Sequence, residues 1–136
     1  MIKTKTICML LMIVALPAGC GTLSERTRME SFGPTAQAYE RALRLADYNA
    51  AAAYLDPSKA TAAADLRPYQ NIKIVDYKIL HTQVSPDSLE IKQDVALQYF
   101  RLNSNIIRFT RYPQTWHYRE ADKTWRLQSG LPDFSN

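Results

Sequence analysis

The chain is poor in the residue types that several kinds of chemistry require. It has four glycines, two cysteines and two histidines in 136 residues. None of the glycines forms a spaced cluster, so there is no phosphate-cradling loop and no Gly-x-Ser-x-Gly elbow. Nucleotide-dependent chemistry is therefore disfavoured. His81 and His117 stand in no metal-ligand spacing with carboxylates, which argues against a zinc site. The apolar run Ile7–Leu16 falls well short of the roughly 20 residues that span a bilayer core as a helix. The excess of basic residues is small: the net charge of +4 is scattered, and Arg101, Arg108, Arg111, Arg119 and Arg126 read as a solvated face. Nucleic-acid binding is not expected.

What is present begins at the amino end. Lys3 and Lys5 precede the apolar run, and Ala18-Gly19-Cys20 follows it. This is the three-part plan of an export signal over residues 1–19. The segment resembles the signal peptide of bacterial lipoproteins, although Pro17 stands where that family usually has Leu or another aliphatic residue. The resemblance implies cleavage between Gly19 and Cys20, a diacylglyceryl group on the Cys20 thiol and an acyl group on the new amino terminus. It also implies no cofactor beyond this lipid. Cysteine arithmetic agrees: Cys8 would leave with the signal, and Cys20 would otherwise be an unpaired thiol in an oxidising compartment. Two or more acyl chains anchor stably, at about 0.8 kcal/mol per buried methylene. By the same resemblance, Gly21 in place of Asp permits transfer to the outer membrane, with the protein facing the periplasm. Lys3 and Lys5 leave with the signal, lowering the charge from +4 to +2.

Residues 20–34 are polar and end in Gly33-Pro34, which reads as a lipidated tether without a fold of its own. One domain then covers residues 35–136. Thr35 is a candidate N-cap. Tyr39, Ala42, Leu43 and Ala46 recur at helical spacing, and Glu40 lies one turn before Arg44. Asp47 can cap a second helix through Ala50–Leu55. A short third helix over Lys59–Leu66 would end at Arg67-Pro68. From Asn71 the period becomes strand-like, with a phase shift that suggests a bulge near Val75. Strands are expected over Ile72–Ile79, Leu89–Leu102, Ile106–Glu120 and Thr124–Gln128. Turns at Ser85–Ser88, Asn103–Asn105 and Ala121–Lys123 separate them. Pro113 suits a bulge or an edge. The fold class is α+β: N-terminal helices packed against a curved, roughly four-stranded antiparallel sheet.

The run Ala42-Leu43-Arg44-Leu45-Ala46-Asp47-Tyr48-Asn49-Ala50-Ala51-Ala52-Ala53-Tyr54-Leu55, with the long hairpins and the final Lys123-Thr124-Trp125-Arg126-Leu127, resembles the nuclear transport factor two-like or cystatin-like cone. That superfamily includes ketosteroid isomerase and many binding modules. The likeness covers residues 35 to about 132 and implies a cone fold. It does not fix function, because this cone hosts enzymes and non-enzymes alike. No catalytic residue of the isomerase maps onto this chain.

Tyr77, Tyr99, Phe109, Trp116, Tyr118 and Trp125 fall in the strand half. In a cone they could line a ligand pocket between sheet and helices, and aromatic residues also build cores and partner interfaces. Asp76 and Asp94 read as outward-facing charges, and His117 as a surface or rim residue. The expected function is a membrane-anchored, non-catalytic binding module that contacts another envelope protein through its exposed sheet face. The alternative is a carrier or sensor of a small apolar ligand. An isomerase-like enzyme comes third.

Overall fold

A computed structural model describes residues 20–58 and 65–135. The signal segment 1–19, with Gly19, and most of the helix expected over Lys59–Leu66 lie outside the described residues. Helix α1 spans Cys20–Arg44 and the short α2 spans Tyr48–Ala52. A 3-10 turn at Arg67–Tyr69 leads into four strands: β1 (Ile72–Val84), β2 (Glu90–Arg101), β3 (Arg108–Arg119) and β4 (Thr124–Leu127). The strands form one antiparallel meander in the order β1-β2-β3-β4. The sheet is curved and unclosed, and α1 packs on its concave side. The architecture is α+β, as the patterning indicates.

The first helix starts fifteen residues earlier than Thr35 would set it, at Cys20. Residues 20–34 are thus helical, and Thr35 is interior rather than a cap. Its hydroxyl donates to the Ser31 carbonyl at 2.9 Å, and Thr27 donates to the Leu23 carbonyl in the same way. Such back-bonds satisfy the hydroxyls at a slight cost to the helix, so they do not explain why the segment is helical. The reason is a stripe that runs straight through Gly33-Pro34. Met29, Phe32, Ala36, Tyr39 and Leu43 follow one another at alternating spacings of three and four, and all pack in or against the core. Pro34 lies off this stripe inside the helix and removes one backbone donor.

Arg44 closes the helix with an ion pair to Glu40 at 2.8 Å. The chain then reverses through Ala46, which sits at φ 56°. Asp47 N–H donates to the Ala42 carbonyl at 2.9 Å and Ala46 N–H to that of Leu43 at 3.1 Å. This is a Schellman stop with alanine where glycine is usual. Asp47 caps α2 by accepting from Ala50 N–H at 3.0 Å. That helix is shorter than the alanine run implies. After it, Leu55 bridges Leu127 in parallel and extends the outer edge of β4.

The expected bulge is present: the β1–β2 register shifts between Ile74 and Asp76, and again between Ile79 and His81. Extra residues therefore sit at Val75 and Leu80, and they twist an edge strand that has no neighbour on its other side among the described residues. Pro113 pairs with Asp94 of β2 on a stretch where β4 does not reach, since β4 pairs only with Trp116–Arg119. Its missing N–H therefore interrupts no ladder on that side.

The left-handed Ala46 carries strain that a glycine would not. Ala46→Gly is expected to leave stability unchanged or raise it by up to about 1 kcal/mol, although the same change in a helix interior costs about that much. Urea unfolding monitored by circular dichroism checks this.

Candidate functional site

The concave side of the sheet is filled by aromatic side chains centred on Trp116, which has no exposed surface. Tyr39 meets its ring edge-to-face at 5.2 Å, Phe32 at 5.8 Å and Tyr54 at 6.4 Å. Phe32 also meets Trp125 at 5.1 Å. Each such pair contributes about 0.5–1.5 kcal/mol beyond the area it buries. Most polar atoms inside this cluster are matched, although Gln93 Oε1, opposite Gln114, has no hydrogen-bond partner. Trp116 Nε1 donates to Gln114 Oε1 at 2.9 Å, and Gln114 Nε2 donates to the Tyr77 hydroxyl. Tyr112 donates to the Gly130 carbonyl at 2.7 Å, so at the 2.6 Å contact between the two hydroxyls Tyr39 is the donor.

Burial pushes the phenols of Tyr39 and Tyr112 far above the ordinary tyrosine range. It raises Tyr77 and Tyr48 to about 12. All four stay protonated at neutral pH; Tyr39, Tyr48 and Tyr112 donate hydrogen bonds within the core, and Tyr77 accepts one from Gln114. The described carboxylates with a shifted proton affinity, Asp56, Asp65, Asp87, Asp122 and Asp133, are all shifted down. Asp56 is the buried one. Hydrogen bonds from the Ser58 hydroxyl and amide and from Gln128 lower it to about 2. A general acid or base near pH 7 would need the opposite shift.

The six aromatic residues singled out in the sequence do not share one site. Tyr77, Tyr99, Trp116 and Trp125 are buried in the core. Tyr99 packs on Phe134 at 4.6 Å, and Trp125 Nε1 donates to the Arg28 carbonyl at 3.0 Å. Tyr118 is half-buried at the rim, with the Arg28 guanidinium 5.8 Å above its ring. Phe109 departs from the set: it is 73 % exposed. Its position is odd along β3, whereas the inward positions Tyr112, Gln114, Trp116 and Tyr118 are even, so Phe109 points to the outer face. The same parity identifies Tyr112 as a core residue that the aromatic set omitted. Asp94 and His117 are exposed on the outer face, and Asp76 is half-exposed there, 4.0 Å from Arg44.

No protein-family model matches the chain, and no curated protein or solved structure matches it. Function must therefore be argued from the surfaces themselves. Among the described residues no group of three or more His, Cys, Asp or Glu side chains could hold a metal ion. The cleft beside Tyr77, between Phe32, Ala36, Ile79 and Gln93, has a volume of about 180 Å³, below the ~300–1,000 Å³ of an ordinary ligand pocket. A larger groove of about 360 Å³ is lined by Pro68, Tyr69, Arg101, Asp133 and Phe134, and two still larger ones are open to solvent. One, of about 510 Å³, lies between α1, α2 and β4, with Ser31, Thr35, Tyr54, Lys123 and Arg126 along it. The other, of about 530 Å³, lies beside the first turns of α1 and includes Leu23, Arg28, Tyr118 and Glu120.

The outer face and its β2–β3 end are different in character. Leu102 is 61 %, Ile106 63 % and Ile107 46 % exposed, and together with Phe109 they stand around one hairpin connection. Phe109 pairs with Gln98, which makes half-buried Phe100 its diagonal neighbour on the same face. Apolar side chains clustered in this way mark interaction surfaces more often than isolated ones do. The sequence analysis did not single out Leu102, Ile106 or Ile107. Their signal is the pair Ile106-Ile107, set directly beside the polar turn Asn103-Ser104-Asn105.

The two faces make opposite demands on mutation. Trp116→Ala should lower stability by about 3–5 kcal/mol, whereas Phe109→Ala should change it by less than about 0.5 kcal/mol. Parallel urea titrations of the two variants test this. A large loss from Phe109→Ala would mean that its ring is part of the core.

Proposed function

We propose that the protein is a lipid-anchored, non-catalytic binding module of a bacterial cell envelope. It is held by acyl groups on Cys20, faces the periplasm and contacts another envelope protein through the outer face of its sheet. One observation carries this reading: aromatic packing fills the concave side around Trp116, while Leu102, Ile106, Ile107 and Phe109 form an exposed apolar cluster at the β2–β3 end, apart from the exposed Val75, Ile79, Leu80 and Val84 along the β1 edge. Carriage of a small apolar ligand has less support, because Trp116 and Tyr99 would have to leave the core to line a cavity. Isomerase-like catalysis has less again, because the buried carboxylate, Asp56, is held ionised by its donors.

The anchor and the helix fit together. Among the described residues no helix is long and apolar enough to cross a membrane, so attachment would rest on the lipid. Helix α1 already includes Cys20, so acyl groups on that residue would hold the helix close to the bilayer. Leu23, 70 % exposed, lies within one turn of Cys20, where the bilayer surface would cover it.

Mass spectrometry of the protein extracted from its own membranes tests the anchor. The expected species begins at Cys20 and carries a diacylglyceryl thioether and an amide-linked acyl chain. Cys20→Ser should abolish both additions. A chain that begins at Met1, or one with a free thiol at Cys20, would contradict the assignment.

A further inference from the structure

We infer that the end of the sheet remote from Cys20, formed by Leu102, Ile106, Ile107 and Phe109 with Arg111 beside them, docks an apolar site ringed by carboxylates on a partner protein. This rests on the binding-module reading and specifies its surface and the chemistry of its partner.

Position comes first. The early turns of α1 lie at one end of the sheet: Arg28 donates to the Asp87 carbonyl in the β1–β2 turn at 3.2 Å and pairs with Glu120 beside the β3–β4 turn at 3.7 Å. The last turn lies at the other end, where Lys73 near the start of β1 donates to the Arg44 carbonyl at 2.9 Å. Leu102, at the close of β2, bonds Asn71 there at 2.8 Å. A helix of 25 residues is about 37 Å long. The apolar cluster therefore sits roughly that far from the anchor, on the side turned away from the membrane that holds it.

Charge selects the partner. From Val95 to Tyr112 the chain has no Asp or Glu and contains Arg101, Arg108 and Arg111, whereas Arg119 lies at the anchor end, 3.8 Å from Asp122. Arg101 is engaged by the Phe134 carbonyl. Arg111 is exposed on the outer face, two residues beyond Phe109 along β3. Asp76 reaches this end from β1 and lies 4.0 Å from Arg44, Asp133 lines a groove with Arg101, and Asp94 stands on the outer face opposite Pro113. The positive character therefore rests on exposed Lys78 and Arg111, which both flank Ala96. Two copies meeting through this surface would set arginine against arginine, which disfavours self-association. A partner with an apolar centre and acidic rim matches the surface in both respects. A bilayer fits less well, because the apex of the connection is Asn103-Ser104-Asn105, with Asn103 and Asn105 exposed. A loop that inserts in lipid would carry its apolar residues at the apex.

The test uses the full-length chain in its own cells, with a photo-cross-linking residue at Asn105 and, as a control, at Gln83 on the far half of β1. The expected result is an adduct from Asn105 with one envelope protein, mapped to apolar residues flanked by Asp or Glu. Phe109→Ser and Arg111→Glu should each reduce it by about tenfold. Changing the nearest partner carboxylate to Lys should restore the adduct with Arg111→Glu. An adduct with lipid, an adduct with a second copy, or a protein adduct indifferent to Arg111→Glu would overturn the inference. An adduct from Gln83 alone would overturn it and leave the binding-module reading standing. Loss of adducts from every exposed probe position would overturn both.

Discussion

The edge-to-face cluster around Trp116 is the constraint on which the molecule depends. One indole at the middle of β3 is met by Phe32 and Tyr39 from α1 and by Tyr54 from the segment after α2. These contacts bring three stretches far apart in sequence onto one sheet. They also fix where α1 lies, because Phe32 and Tyr39 stand about two turns apart on its inner face. The indole N–H is matched by Gln114 two residues away on the same side of the strand, and the chain of hydroxyls from Tyr39 through Tyr112 to Gly130 ties the carboxyl-terminal segment to the same centre. Buried polar groups satisfied in this way specify one packing arrangement rather than several.

Function follows from what that packing leaves over. A curved sheet with a helix on its concave side can enclose a cavity, and here aromatic rings occupy that space. The ionisable groups inside are phenols held protonated by burial, and the buried carboxylate Asp56 is held ionised by its donors. Neither is poised to exchange a proton near neutral pH. The most exposed apolar cluster on the sheet lies outside, around Phe109 and the connection before it. The polarity of α1 gives the molecule two ends: one begins at Cys20, and the other presents the exposed cluster beside a run of sequence without acids.

Much of this was legible in the residues. Strict alternation in Val95, Leu97 and Tyr99 marked β2, the turn clusters marked the hairpins, and the break in phase at Val75 marked a real bulge. Asp47 was readable as a cap because its side chain acts locally. Three features were harder. The early start of α1 was hidden by Gly33-Pro34 and by Ser and Thr side chains, although the stripe from Met29 to Leu43 runs through them. The bulge at Leu80 follows Ile79, and two adjacent apolar residues show no phase until the partner strand is known. Phe109 was grouped with the core aromatics by residue type, whereas its parity along β3 sets it on the other face. Exposure at a strand end is decided by what the helix covers, and that depends on tertiary packing rather than on any local pattern.

The most direct test of a filled concave side is to titrate the full-length protein with a fluorescent fatty acid while following tryptophan emission. A closed aromatic core predicts no saturable binding and an unchanged emission maximum from Trp116 and Trp125. Saturable one-to-one binding that shifts or quenches that emission would show a ligand entering between helix and sheet, and would return function to the concave side.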